Sequence, residues 1–227
     1  MSTKFGSKII TEGLVLHLDA KNIKSYIGSG TDWFDLSGNE NNATMYNLTY
    51  DDGSIIYNAA NDRAVISNYF ITGATSLSMS AWFMMTGGAG TYRCIVHKGT
   101  DTSVGNSEYW TGFSGANTIV STIGAGSGVG WAAGNTGISG ILDTWYNTCS
   151  VWNGSNVRVF VNGDYKMNYN LLSLTQNNLY TRIGASSDTG AYQVIGKISI
   201  VNIYKNVALT DSQVKSNFNA LRGRFGI

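Results

Sequence analysis

From Leu14 to Ala20 the chain alternates, with Leu14, Leu16 and Leu18 on one side and Val15, His17 and Asp19 on the other. This period of two marks a strand with one buried face. Residues 77–83 repeat the pattern, Leu77, Met79, Ala81 and Phe83 inward against Ser78, Ser80 and Trp82 outward. Short strands are predicted over 55–57 and 64–66, and further strands over 92–98, 180–185 and 194–204. Residues 145–152 and 156–161 read as a hairpin about Asn153-Gly154, with a second turn signal at Asn162-Gly163. The period changes once, near the end of the chain. Thr210 followed by Gln213 has capping-box spacing, and Val214, Phe218 and Leu221 then recur at helical intervals, which predicts a helix over about 210–222.

Glycine and asparagine, rather than proline, punctuate these runs. The chain has 28 Gly and no Pro in 227 residues, which keeps every ladder N–H available to a sheet. A long loop covers residues 21–42. No internal repeat or linker divides the chain, so one domain over 13–227 is expected, preceded by an arm at 1–12 with no apolar segment of the signal-peptide kind. Strands at these intervals and one closing helix make the fold class all-β, a two-sheet antiparallel sandwich.

Charged residues are only 13% of the chain, and the net charge is +1. That excludes the basic footprint demanded by nucleic-acid phosphates. Residues 109–142 carry no charge at all, yet their Gly, Ser, Thr and Asn content is wrong for hydrocarbon, and no membrane insertion is expected. Cys94 and Cys149 lack metal-like spacing and are read as buried free thiols.

Five segments taken together resemble the laminin-G-like, concanavalin A-like jelly-roll domains, and more narrowly the version found in virion proteins of tailed bacteriophages. They are GLVLHLDAKNIKSY (13–26), WFDLSGNENNATMYN (33–47), LSMSAWFM (77–84), NGSNVRVFVNGD (153–164) and GKISIVNIYKNVALTDSQVKSNFNALRGRFG (196–226). The first, second and last are the specific ones. The resemblance implies a jelly roll whose rim loops form the usual ligand edge. It leaves function open, because this fold hosts lectins, glycosidases, receptors and structural modules.

Catalytic chemistry finds little support. Glycosidases of this fold place two carboxylates across a sugar, but Glu12, Glu40 and Glu108 fall in three different segments and Asp51-Asp52 are adjacent. His17 and His97 stand on strands with no nucleophile motif nearby. The chain is therefore expected not to be an enzyme. No cofactor is expected, with calcium left open: Asp35, Ser37 and Asn39 alternate in one loop and could turn three oxygens toward an ion, although one formal charge favours the alternative, an Asx-type brace. For glycan contact the candidates are Tyr109, Trp110, Trp131 and Asn135, aromatics that offer a stacking surface beside an amide. The leading expectation is a non-enzymatic virion structural protein, a capsid decoration or tail-fibre component assembled in the host cytoplasm and present in many copies. It would hold capsid or tail neighbours through Lys4, Phe5, Lys8 and Ile9 of the arm or Arg222, Arg224 and Phe225 at the other end. The alternative is an adhesin that recognises host surface glycans.

Overall fold

The computed structural model describes residues 8–68, 70–99, 107–188 and 192–227. Two antiparallel eight-stranded sheets face each other. The first runs, in order, through β14 (Asp164–Asn170), β13 (Asn156–Val161), β12 (Trp145–Trp152), β7 (Leu77–Met85), β16 (Gly196–Lys205), β5 (Ser54–Tyr57) and β4 (Thr49–Asp51), and β1 (Leu14–Asp19) also pairs with β16. The second runs through β11 (Asn135–Ser139), β10 (Thr118–Ile123), β9 (Tyr109–Phe113), β8 (Arg93–Lys98), β15 (Thr181–Ile183), β6 (Arg63–Ile66), β3 (Ala43–Tyr46) and β2 (Asp32–Trp33). This is the two-sheet sandwich that the strand pattern predicts and the jelly roll that the resemblance implies, closed by one helix, α1 (Asp211–Leu221). Among the described residues no helix is long and apolar enough to cross a membrane.

The main core lies between the sheets. It takes Leu16, Leu18, Met79, Ala81, Phe83, Val201 and Ile203 from the first sheet, and Ile95, Val96, Tyr109, Phe113, Ile119 and Ile183 from the second. Three hydroxyls also meet there: Ser150 donates to Ser121 Oγ at 2.7 Å, and Thr111 and Ser121 share a 2.6 Å bond. Leu14 departs from its predicted face. A bulge between Leu14 and Leu16 shifts the register against β16, and one extra residue in a strand turns the following side chain over. Leu14 consequently packs with Tyr204, Leu209 and Val214 beneath the helix, on the far side of the sheet.

That far side is where the helix earns its stability. Thr210 Oγ1 accepts from Gln213 N at 3.2 Å, and the Gln213 side chain accepts from Thr210 N at 2.8 Å, which completes the capping box. Phe218 stacks on Trp82 at 5.4 Å, and Phe225 stacks on the same indole at 4.2 Å. Trp82 does point outward, yet it is fully buried under the end of the chain. Arg224 fastens this end with two bonds to Asp19, at 2.7 and 2.9 Å. On the same side Ile9 and Ile10 of the arm pack against the Leu14 cluster, and Ile10 N donates to Asn217 Oδ1 at 2.8 Å.

Both cysteines are free and buried, Cys149 under the helix and Cys94 on the outer side of the second sheet. Burial pushes the Cys149 thiol up to about 12. At one end of the main core Lys98 and Glu108 form a fully buried ion pair at 2.6 Å. Lys98 Nζ also donates to Asn177 O, Asn177 Oδ1 and Leu179 O, at 2.6, 3.0 and 2.9 Å. Burial raises the Glu108 carboxyl above its ordinary range against the pull of Lys98.

Removing one member of a buried pair strands the other without compensation, whereas removing both does not. Lys98→Met should thus cost about 3–5 kcal/mol in denaturant unfolding, and adding Glu108→Met should recover most of the loss. Additive single effects in this double-mutant cycle would show that the pair is not coupled.

Candidate functional site

The outer side of the second sheet carries the densest set of partly open aromatic residues. Along β9 the side chains alternate, Tyr109 and Phe113 entering the core while Trp110 points out. His97 and Thr122 are the register partners of Trp110 on β8 and β10. Trp110 packs with Cys94, Val120 and Tyr192, and it is itself buried. Trp131, from a single 3-10 turn between β10 and β11, stacks over it with centroids 6.2 Å apart and planes 16° from parallel. Two loop tyrosines complete the group. Tyr92 meets Trp110 edge-on at 6.3 Å and Trp131 at 6.4 Å, and Tyr192 meets Trp131 and Tyr92, each at 5.6 Å.

Tyr92 is 41% exposed, while Trp131 and Tyr192 are half-buried. The result is a shelf of three accessible rings on a buried indole floor. Hydrogen bonds set its tilt: Trp131 Nε1 donates to Ser107 Oγ at 3.1 Å, and that hydroxyl also lies 3.0 Å from His97 Nε2. The other His97 nitrogen lies 3.0 Å from Ser186 O. His97 is thus buried and occupied on both sides.

Beside the shelf, β15 places Arg182 on the same outer face, in register with His97. Its guanidinium grips Asp188 through two 3.0 Å bonds. Arg63 reaches the same carboxylate at 3.5 Å and lies over the Tyr46 ring at 4.3 Å. The Arg182 bonds hold the Asp188 carboxyl below its usual range.

The residues singled out by sequence divide. Trp110 and Trp131 come together here, Trp110 as the floor and Trp131 as part of the shelf, while Asn135 is exposed at the start of β11, paired with Val120. Tyr109 does not join them. It is buried in the core with its hydroxyl 2.5 Å from Thr181 Oγ1, because the neighbour of an outward-facing strand residue must face inward. Tyr92, Tyr192, Arg182 and Asp188 were not among the candidates. Three of them stand in loops or on a short strand where no periodicity marks them, and Tyr92 opened a predicted strand with nothing to show which way its ring turned.

The Asp35 loop lies elsewhere, against β1. Asp35 Oδ1 accepts from His17 N and Ser37 N, at 2.8 and 2.9 Å, and Oδ2 accepts from Ser37 Oγ and Asn41 N, at 2.7 and 3.1 Å. Asn39 turns its amide nitrogen toward Leu14 O and Ser37 Oγ, at 3.2 and 2.9 Å. Both carboxylate oxygens are saturated by N–H and O–H donors, a donor set that does not fit a calcium ion. Among the described residues no group of three or more His, Cys, Asp or Glu stands close enough to hold a metal. Of the attachment candidates, Lys4 and Phe5 lie outside the described residues, and Lys8 is exposed. Ile9, Arg224 and Phe225 are engaged within the domain, while Arg222 is exposed beside Phe218.

Comparison with known proteins places this geometry in context. The profile of a family described as the concanavalin A-like lectin/glucanases superfamily matches residues 52–215. No curated protein matches the chain in sequence. Among solved structures, domain 4 of AbnA, an extracellular arabinanase of Geobacillus stearothermophilus solved with arabinotriose, superposes with a TM-score of 0.66 and 19% identity over 90% of this chain and 97% of that one. Trypanosoma rangeli sialidase, solved as a covalent intermediate with 2,3-difluorosialic acid, gives 0.71 and 17% identity over 92% of this chain, which spans only 33% of the sialidase. The binding domain of Paraclostridial Mosquitocidal Protein 1 gives 0.61 and 17% identity, over 92% of this chain and 52% of that one.

If Asp35 is a brace and no ion is held there, Asp35→Ala should lower unfolding stability by about 2–4 kcal/mol, the loss of several bonds to a charged acceptor. Calcium or a chelator should leave the melting temperature of the unmodified protein unchanged. A calcium-dependent rise in melting temperature that Asp35→Ala removes would reverse this assignment.

Proposed function

The chain belongs to the concanavalin A-like lectin/glucanases superfamily, and on that premise we propose that it is a non-catalytic carbohydrate-binding module whose glycan lies across the Tyr92, Trp131 and Tyr192 shelf. The observation that carries this reading is the shelf itself. Three accessible rings pack against one another beside a buried tryptophan, and Trp131 is held by its bond to Ser107, so stacking a sugar face on them costs little side-chain ordering. The exposed amide of Asn135, close to Trp131 in the chain, supplies a hydrogen-bonding partner for hydroxyls. Domain 4 of AbnA, which this chain overlays almost end to end, was solved with arabinotriose, and that supports glycan binding by this fold.

The environment of the nearby acids supports binding without hydrolysis. Asp188 is bound to Arg182 and Arg63, Asp62 accepts the N–H groups of Asn58 and Ala59, and Glu108 faces the core beside Lys98. None is paired with a second carboxylate across a cleft, as the two-acid mechanism requires.

The resemblance of five segments to tailed-phage virion proteins adds a setting. In it the module is displayed in many copies on a capsid or tail, attached through the arm, and presents its shelf to surface glycans of the host.

On a glycan array the protein should bind at least one oligosaccharide class. Trp131→Ala and Tyr92→Ala should each weaken that binding by about tenfold or more without lowering far-UV β signal, while Tyr109→Phe should leave it unchanged. Absence of any glycan signal, or full binding by Trp131→Ala, would overturn the reading. For the setting, removing residues 2–7 spares the packed Ile9 and Ile10 and should abolish incorporation into phage particles while the domain stays folded. Full occupancy by the truncated protein would refute attachment through the arm.

A further inference from the structure

Arg93 stands apart from the other arginines. Among the described residues, Arg63, Arg158, Arg182 and Arg224 each meet a carboxylate, and Arg222 is exposed near the chain end. Arg93 is half-buried and, among the described residues, has no carboxylate within ion-pair reach. Its one side-chain hydrogen bond runs from Nε to Gly88 O, at 3.2 Å. Gly88 makes room for it, since a Cβ there would lie 2.2 Å from Arg93 Nε, and the backbone stands at φ +78°. The cation is therefore held in place with most of its fork unused, and burial pushes its pKa down from the usual arginine value. Keeping a partly desolvated charge unpaired is costly, which is the condition an anionic ligand would relieve.

The guanidinium lines a recess of about 280 Å³, next to Asn58, Ala59, Tyr192 and Ile195. That is close to the lower limit of roughly 300 Å³ for small-molecule sites, a size suited to one sugar unit. Tyr192 is shared with the aromatic shelf, so a ligand in the recess continues directly onto Tyr92 and Trp131. Gln193 stiffens the wall: its amide oxygen accepts from Asn61 N at 3.1 Å, and its amide nitrogen donates to Ala59 O. Another recess of similar size, about 290 Å³ and lined in part by Trp145 and Phe225, makes a useful contrast. Its Lys21, Lys197 and Arg224 all face aspartates, so it offers an anion no unpaired charge.

We propose that the Arg93 recess binds the carboxylate of an acidic sugar unit, a uronic or nonulosonic acid, within a glycan whose neighbouring units lie on the shelf. This rests on the glycan reading and gives it a ligand class. A carboxylate is favoured over a phosphate monoester, whose second charge would call for a second cation, because one planar guanidinium with no lysine in the recess matches a two-oxygen fork carrying a single charge. Asn58, exposed at the mouth, is placed to meet a ring hydroxyl.

The test uses the full chain and matched ligands: trigalacturonic acid against its methyl ester, and sialyllactose against lactose. At least one acid should bind about tenfold or more tightly than its neutral counterpart, and the pair that shows the difference identifies the source of the carboxylate. Arg93→Met should erase the difference, and Arg93→Lys should restore only part of it. Equal binding of acid and neutral forms by the unmodified protein, a comparison that needs no variant to fold, would overturn the proposal. So would an acid preference that survives Arg93→Met. If neutral glycans bind and Trp131→Ala abolishes them while no acid preference exists, the shelf stands and the recess assignment falls. If no oligosaccharide binds, both fall.

Discussion

A β-strand hides only every second side chain in the core of a sandwich, so each sheet is left with an outer face that needs its own solution. In this molecule the two sheets solve it differently. The first buries its outer face beneath α1 and the last residues of the chain, with Trp82 at the centre and Phe218 and Phe225 stacked on it. Among the described residues, no α-helix covers the second. Loop side chains cover part of it around Trp110, and the cover stops short, leaving Tyr92 and the edges of Trp131 and Tyr192 in contact with solvent. The incomplete cover leaves accessible rings on one side, and the complete one makes a stable back.

This division explains how much could be read from the residues alone. The sandwich, the hairpin about Asn153-Gly154 and the helix were legible because each is a local code: alternation, a turn dipeptide, and Thr210 with Gln213. The outward direction of Trp82 was legible too, since serines flank it on the same face. Leu14 was misassigned because the bulge that turns it over depends on its pairing with β16, which lies at the other end of the chain. Tyr109 was misassigned for a related reason. Residues 109–113 are buried on both faces of the sheet, so apolar periodicity cannot say which neighbour enters the core.

The candidate site was half legible. Trp110 and Trp131 stood out as bulky rings in an uncharged glycine-rich stretch, but their partners Tyr92 and Tyr192 come from opposite ends of the second sheet's connections. Arg93 was invisible for another reason. An unpaired guanidinium is defined by the carboxylates that are not near it, and that is a property of three-dimensional arrangement. The chemistry of the site therefore emerges only once loops from distant segments converge on β8 and β9.

The tethering of Ile10 to Asn217 and of Arg224 to Asp19 has a geometric result. Both ends of the described chain meet the body on the helix-covered side of the first sheet, whereas the aromatic shelf lies on the outer side of the second. Whatever polypeptide or assembly holds the domain by either terminus would stand behind it, so the aromatic shelf is left facing outward like the palm of a hand held up from the wrist. Grafting the domain onto a carrier through either end would preserve that outlook, and a circular permutation opening in the loop beside Tyr192 would destroy it.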